Sequence, residues 1–544
     1  MPENTIHAFE IVFLLLLLFV IFFGALARRL KLPYPIVLVV AGLVLSFIPG
    51  IPHISMNPDV VFLAFLPPLL YSAAWFTSWR DFKYNIVSIL FLAFGLVGFT
   101  VAGVAIFAPH IFSGFDWRLG FVLGAVVATT DAIAATSIAN RVGLPKRIVD
   151  ILEGESLVND ASGLLALEFG VAMILSGQTP TIAAGFLRIS YLIAVGLAIG
   201  ILIAFVVERI ERYLDDGPIE VTLSIMIPYV AYLAAERIHA SGVLAVVACG
   251  LYLGRRSSRL FSASVRLQAY GFWNAINFVL NGLVFVMIGL QLPFVLEGIR
   301  EYRLPHLILY GAIFSALLIA LRVIWLYPGA FLANIIRRRV LHQNERYPSK
   351  GSIFIVGWTG MRGVIALAAS LSLPEFLPDG TQFPQRNLII FLTFCVILVT
   401  LVLQGLTLAP LIRFLGLAGQ SGPQEEEREA RRIILETALN HIKTRRERER
   451  TEEIESHHLA TAYDDAIRKY KRRLSAITGQ SYELHGIDAE DQAHINDLDR
   501  QLARIERETA VRLRNEGLIS DQVLRQLEYE LDLSETRLNP VTPE

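Results

Sequence analysis

From about Phe9 to Leu417 the chain alternates apolar runs of roughly 20 residues with short polar loops. Each run is long enough to cross a bilayer as a helix. About thirteen qualify, beginning near Ile11, Pro35, Asp59, Asn85, Arg118, Asp150, Leu187, Glu220, Gly242, Gly271, Pro305, Ile353 and Asn387. With 544 residues, 54% hydrophobic, 18% charged and a mean hydropathy of +0.53, the chain is too apolar for a soluble globule. The expected fold is an all-α membrane protein. A net charge of −1 supplies no global field toward nucleic acid. Cys249 and Cys395 lie inside apolar runs and read as small buried hydrophobes.

The first run ends in Ala25-Leu26-Ala27, which mimics a signal-peptide cleavage site. The residues before it carry no Lys or Arg, and Arg28, Arg29 and Lys31 follow it instead, so it reads as an uncleaved first helix. Alternate loops carry Arg80 and Lys83, Arg141 with Lys146 and Arg147, Arg209 and Arg212, Arg255 and Arg256, and Arg337 to Arg339. The loops between them are poor in Lys and Arg. The bias places the N-terminus outside and the C-terminus in the cytoplasm.

This orientation brings three polar clusters to one depth. The fifth span runs inward and holds Thr129, Thr130 and Asp131. The sixth runs outward and holds the sequence GESLVNDASG, with Asp160 roughly 15 Å up from Asp150 at 1.5 Å per residue. The twelfth runs outward and holds Gly357, Gly360, Arg362 and Gly363. Ser156 and Asp160 are four residues apart, as are Glu155 and Asn159, so the pairs form adjoining stripes. Ionisable groups at this depth cost about 2.5–3.5 kcal/mol each on translocon scales and mark an ion or proton pathway. The plainer reading, that they pair across helices and only hold the bundle together, fits one isolated carboxylate better than it fits four charges at one level.

Consecutive Thr, Thr and Asp favour local unwinding, and the three glycines do the same in the twelfth span. Two broken spans of opposite direction in corresponding halves point to an inverted-repeat secondary transporter. Arg362, always protonated, needs a carboxylate, and Glu155 is the expected partner. Asp131 is expected to compensate half-helix N-termini. Asp160 is then the carboxylate left to exchange a small cation for a proton. Its donors would be hard oxygens from its own carboxylate, Ser156, the backbone near Thr129 or Thr130, and water, which suits Na⁺ or Li⁺.

ATTDAIA, EGESLVNDASG and TGMRGVIALA together resemble the bacterial NhaP-type and eukaryotic NHE-type sodium/proton antiporters. LAFLPPLLYSAAW (63–75), SGVLAVVACGLYLG (241–254) and NGLVFVMIGLQL (281–292) agree. The likeness implies an NhaA-like fold over residues 10–417, with core helices within 85–176 and 305–416 and interface helices in the rest forming a homodimer in the cytoplasmic membrane. It implies ion and proton binding at Asp160, assisted by Ser156 and Thr130, supported by Asn159 and Asp131, with Glu155 paired to Arg362. The substrates implied are Na⁺ or Li⁺ and H⁺ exchanged for pH and sodium homeostasis, with no cofactor. Ala132 stands where many members have Pro. Relatives that move net charge carry a second Asp where Asn159 stands, so the expected exchange is electroneutral.

Residues 424–544 read as a cytoplasmic helical bundle or coiled coil, either silent or regulatory. Asn274, Asn277 and Asn281 suggest interhelical hydrogen bonding. Glu168 either lines an outer vestibule or snorkels to the interface. K⁺/H⁺ exchange is the same-class alternative. A cation channel would need rings of filter groups around a shared pore. An intramembrane hydrolase would need a base beside Ser156, and no membrane-embedded His supplies one.

Overall fold

The computed structural model describes residues 3–48, 58–177, 181–299, 302–343, 347–419, 423–451, 457–478 and 489–538. The chain packs into two compact units. One comprises residues 1–214, 219–260 and 272–421; the other takes in 215–218, 261–271 and 422–544.

Among the described residues, nine helices are long and apolar enough to cross a membrane. They include Pro58–Phe76, Trp79–Ile111, Lys146–Ser176, Ala183–Glu211, Leu304–Arg339 and Arg386–Phe414. The remaining apolar runs of the sequence are filled by Tyr34–Leu45, by Gly242–Leu260, and by two interrupted pairs, Trp117–Val126 with Ala132–Val142 and Lys350–Trp358 with Val364–Leu371. The periphery is exposed and apolar: the Ala183–Glu211 span, of mean hydropathy 2.6, is only 22% buried. The interrupted pairs lie deep in the packing, where Val126, Leu367 and Ala368 are fully covered.

Three stretches widen into π-helix: Val61–Phe65, Phe91–Leu96 and Thr400–Gln404. A π-turn leaves backbone carbonyls without their usual donors, which in a bilayer must be met by protein. Here Trp325 Nε1 donates to the Phe91 carbonyl at 3.1 Å and Ser162 Oγ donates to that of Ala93. The Trp79–Ile111 helix is thereby fastened to two neighbours at the level of the breaks.

The second unit is a bundle built from Pro423–Thr451, His457–Thr478, Ala489–Asn515 and Asp521–Leu538. Apolar positions at helical spacing make two cores: Leu435, Leu439 and Ile442 meet Tyr463, Tyr470 and Leu502, and Ile434 meets Leu513, Val523 and Leu527. Arg431 bridges Glu427 and Glu530, and holds the Glu530 carboxyl below its usual range. A buried carboxylate is satisfied the same way within this unit. Asp532 accepts from Arg266 Nε at 2.9 Å and Nη2, and from Arg507 Nη2 at 2.6 Å.

Candidate ion-binding site

The first interruption follows from its residues. The Trp117–Val126 helix stops at Val127 (φ −90°, ψ 2°), and Thr129 and Thr130 continue without helical bonds. Asp131 starts the next segment as its N-cap: Oδ1 accepts from the Ile133 amide at 2.8 Å, against the positive end of Ala132–Val142. Ser156 bridges the gap from the neighbouring helix. Its Oγ donates to the Thr130 carbonyl at 2.9 Å and accepts from the Ala132 amide at 3.3 Å, replacing bonds that the helix would have made.

The second interruption runs from Thr359 to Gly363. The Thr359 hydroxyl donates back to the Ile355 and Val356 carbonyls, and the Arg362 amide donates to Thr400 Oγ1 at 3.1 Å, beside the π-turn. The two interruptions touch. The Asp131 amide donates to the Met361 carbonyl at 2.9 Å, and a Cβ at Gly363 would lie 2.6 Å from Asp131 Oδ2. Glycine is required there by the closeness of that carboxylate.

The Lys146–Ser176 helix presents two polar faces to this crossing. Glu153, Ser156, Leu157 and Asp160, spaced i, i+3, i+4 and i+7, line a cavity of about 220 Å³. Thr77, Thr129, Thr130, Asp131, Thr136 and Asn281 are the other polar residues of its wall. Asp160 is 3% exposed, and among the described residues it has neither a hydrogen-bond donor nor a counter-charge. The Thr129 hydroxyl, buried on the same cavity, also lacks a partner among the described residues. The second face, Glu155, Asn159 and Ser162, points into the packing. Thr130 links the faces: its carbonyl accepts from Ser156 Oγ, while its Oγ1 donates to Glu155 Oε1 at 3.2 Å and accepts from Asn159 Nδ2.

The expected pairing of Glu155 with Arg362 is replaced by another. Glu155 is held in two-pronged fashion by Arg322, Nη1 to Oε1 at 2.5 Å and Nη2 to Oε2 at 2.8 Å, with both side chains 2% exposed or less. Arg322 also donates to the Val356 carbonyl, and Gly360 lets the second interruption pass against its side chain. The reason is reach. Arg322 projects from the long Leu304–Arg339 helix directly at Glu155, whereas Arg362 sits in the interruption with Nε and Nη1 unbonded among the described residues. Arg322 was missed as a site residue, although a lone Arg in LLIALRVIWLY was legible as an intramembrane charge. Glu153 was missed too, seven residues before Asp160.

The remaining candidates separate. Glu168 is exposed and paired with Arg188 at 3.2 Å. Asn277 accepts from Ser72 Oγ at 2.7 Å, a bond between helices, whereas Asn281 lines the cavity. What converges at the cavity is one unpaired carboxylate among hydroxyl and carbonyl oxygens. This set suits a small hard cation or a proton, and no cluster of three His, Cys, Asp or Glu is present among the described residues to hold a softer metal.

Comparison with known proteins gives the same direction. The family profile described as "Sodium/hydrogen exchanger, transmembrane" matches residues 14–414. An uncharacterized Na⁺/H⁺ exchanger of Mycobacterium tuberculosis is 32% identical over 528 residues, 94% of this chain and 93% of that protein. The sodium, potassium, lithium and rubidium/H⁺ antiporter of Bacillus subtilis is 32% identical over 93% of this chain and 76% of its own. Among solved structures, the sodium proton antiporter MjNhaP1 of Methanocaldococcus jannaschii superposes with a TM-score of 0.56. It is 19% identical and covers 76% of this chain and 100% of that one, a likeness of fold.

Proposed function

The chain belongs to the sodium/hydrogen exchanger family, and from that premise we propose that it exchanges Na⁺ or Li⁺ for H⁺ at one carboxylate, Asp160, by alternating access. It is a multi-pass membrane transporter rather than an enzyme, and the ions are its substrates. The observation that carries the assignment is the isolation of Asp160. It is buried on a cavity wall with no counter-charge among the described residues, while Glu155 is committed to Arg322 and Asp131 to a helix cap. A carboxylate so placed needs a cation or a proton to be neutral, and taking one releases the other.

Thr129, Thr130 and Ser156 supply oxygens around Asp160, with Ser156 also bracing the interruption. Asn159, Asp131, Glu155, Arg322 and Arg362 hold the crossing in shape. The interface helices form a homodimer in the cytoplasmic membrane, with the N-terminus outside and the tail of residues 424–544 in the cytoplasm, where pH and sodium homeostasis is the role served. A wider cation range, K⁺ included, is favoured by one observation: the Bacillus subtilis relative is named for sodium, potassium, lithium and rubidium.

The test is flux in sealed proteoliposomes with Na⁺, Li⁺ and K⁺ gradients in turn. Wild type is expected to move protons against Na⁺ or Li⁺, and Asp160→Asn to insert normally and move none. Substantial Na⁺-driven proton flux through Asp160→Asn would remove Asp160 from its role. Proton flux driven by K⁺ alone would select the K⁺/H⁺ reading.

A further inference from the structure

Two asparagines one turn apart on the helix Ala263–Leu290 are used differently. Asn277 accepts from Ser72 Oγ at 2.7 Å, a bond between helices. Asn281 is 7% exposed, and among the described residues its amide has no hydrogen-bond partner. Val284 and Phe285, at i+3 and i+4 on the same face, are buried hydrophobes that line the Asp160 cavity with it. Their helix thus holds the amide at the cavity wall. Buried polar groups are nearly always hydrogen-bonded, so the partner of this one is a species that enters the cavity.

Asn281 also differs from the oxygens around Asp160 in what carries it. Thr129, Thr130 and Asp131 lie in the first interruption, and Ser156 and Asp160 on Lys146–Ser176. All five fall within 85–176, read as core, whereas Ala263–Leu290 falls outside both core stretches. Under alternating access the core moves its ion past the remaining helices, so an oxygen on Ala263–Leu290 reaches that ion in one orientation only. From Asp160 the cavity extends to Glu153, two turns nearer Asp150, and to Thr77 at the C-terminal end of Leu66–Phe76. The basic loops mark both of these ends as cytoplasmic. The orientation in which Asn281 shares the cavity is therefore the one that faces the cytoplasm.

An amide carbonyl is a neutral, hard oxygen donor of the kind that Na⁺ and Li⁺ take. It gains and loses no proton, so it adds a ligand without adding a charge to the exchange. We propose that Asn281 Oδ1 is a ligand to the transported cation in the cytoplasm-facing orientation and sets cation affinity on that face alone. This rests on the transport reading, with Asp160 as the carboxylate that holds the ion. Water alone would also satisfy the amide, but it would leave ion affinity independent of Asn281.

The test is exchange by the full-length chain in proteoliposomes of known orientation, with Na⁺ varied on one face at a time. Asn281→Leu keeps the volume and removes the oxygen, whereas Asn281→Asp keeps both. Asn281→Leu is expected to raise KM for Na⁺ about tenfold at the cytoplasmic face, the worth of one ligand bond. Its external KM should stay as in wild type, and kcat should fall by less than KM rises. Asn281→Asp is expected to keep the cytoplasmic KM at or below that of wild type. Should Asn281→Leu not fold, purified Asn281→Ala is melted against NaCl, with choline chloride as the control for ionic strength. The Na⁺-induced rise in melting temperature is then expected to need about tenfold more Na⁺ than in wild type. Unchanged KM in Asn281→Leu, an equal rise at both faces, an equal rise in Asn281→Asp, or an unshifted Na⁺ requirement in Asn281→Ala would each overturn the proposal. Inactive Asp160→Asn with unchanged Asn281→Leu defeats this proposal alone, whereas active Asp160→Asn defeats the transport reading beneath it.

Discussion

Glu155 is bonded through both carboxylate oxygens to Arg322, 167 residues further along the chain, and Arg362 lies near this pair with no carboxylate bonded to it among the described residues. The pair joins the helix that carries Asp160 to the helix that supports the second interruption, so it fixes the site from outside the cavity. Removing one partner of a buried pair leaves a bare charge, at a cost of about 3–5 kcal/mol. Glu155→Gln and Arg322→Met are each expected to lower the melting temperature sharply, and the double variant to recover part of the loss. Double-mutant cycles on thermal unfolding check this, with stronger coupling expected for Glu155 with Arg322 than for Glu155 with Arg362. Additive losses in the first cycle would show the bidentate pair to be energetically empty.

The crossing of the interruptions depends on Gly363. A Cβ there would meet Asp131 Oδ2 at 2.6 Å and Asp131 Cβ at 2.7 Å, and the carboxylate cannot withdraw without giving up its cap on Ala132–Val142. Gly363→Ala is therefore expected to cost about 1–3 kcal/mol, the range for overpacking a core, and to reduce exchange at least tenfold with the protein still inserted. Wild-type exchange and melting temperature in this variant would mean that the crossing yields more readily than its packing implies.

One carboxylate serving two ions predicts competition. At acidic pH protons occupy Asp160; at alkaline pH they are too scarce to return. Activity should therefore peak between two limbs, and raising Na⁺ should carry the acidic limb to lower pH, by about one unit per tenfold Na⁺ once the site is saturated. Initial rates across pH at several Na⁺ concentrations measure this. An acidic limb indifferent to Na⁺ would place pH control on a different group.

Asn159, next to Asp160, is an amide and cannot carry a second proton. With Glu155 held by Arg322, one proton should leave for each Na⁺ bound, so no net charge crosses. Each charge moved would couple to the membrane by about 2.3 kcal/mol per 100 mV. A K⁺/valinomycin potential on proteoliposomes is expected to leave the Na⁺/H⁺ equilibrium position unchanged. A displacement that persists after correction for leak would require a second transported charge.

Much of this protein is dictated locally. Apolar length decides that a run forms a helix in a bilayer, and Thr129-Thr130-Asp131 and the glycines at 360 and 363 interrupt helices for reasons contained in those residues, whereas Gly357 stays within Lys350–Trp358. The stripe of Ser156 and Asp160 follows from the period of one helix. These features, and the resemblance they carry, were legible without coordinates. Partnership was not. Whether Glu155 meets Arg322 or Arg362 depends on how three helices far apart in sequence are rotated and set in depth, and a charge pattern along one dimension leaves both arrangements open. Tertiary packing chose Arg322 because its long helix brings the guanidinium onto both oxygens of Glu155, while Arg362 Nε and Nη1 stay without a hydrogen-bond partner among the described residues. The same packing made Glu153 and Asn281 cavity residues, since enclosure is a property of several helices together.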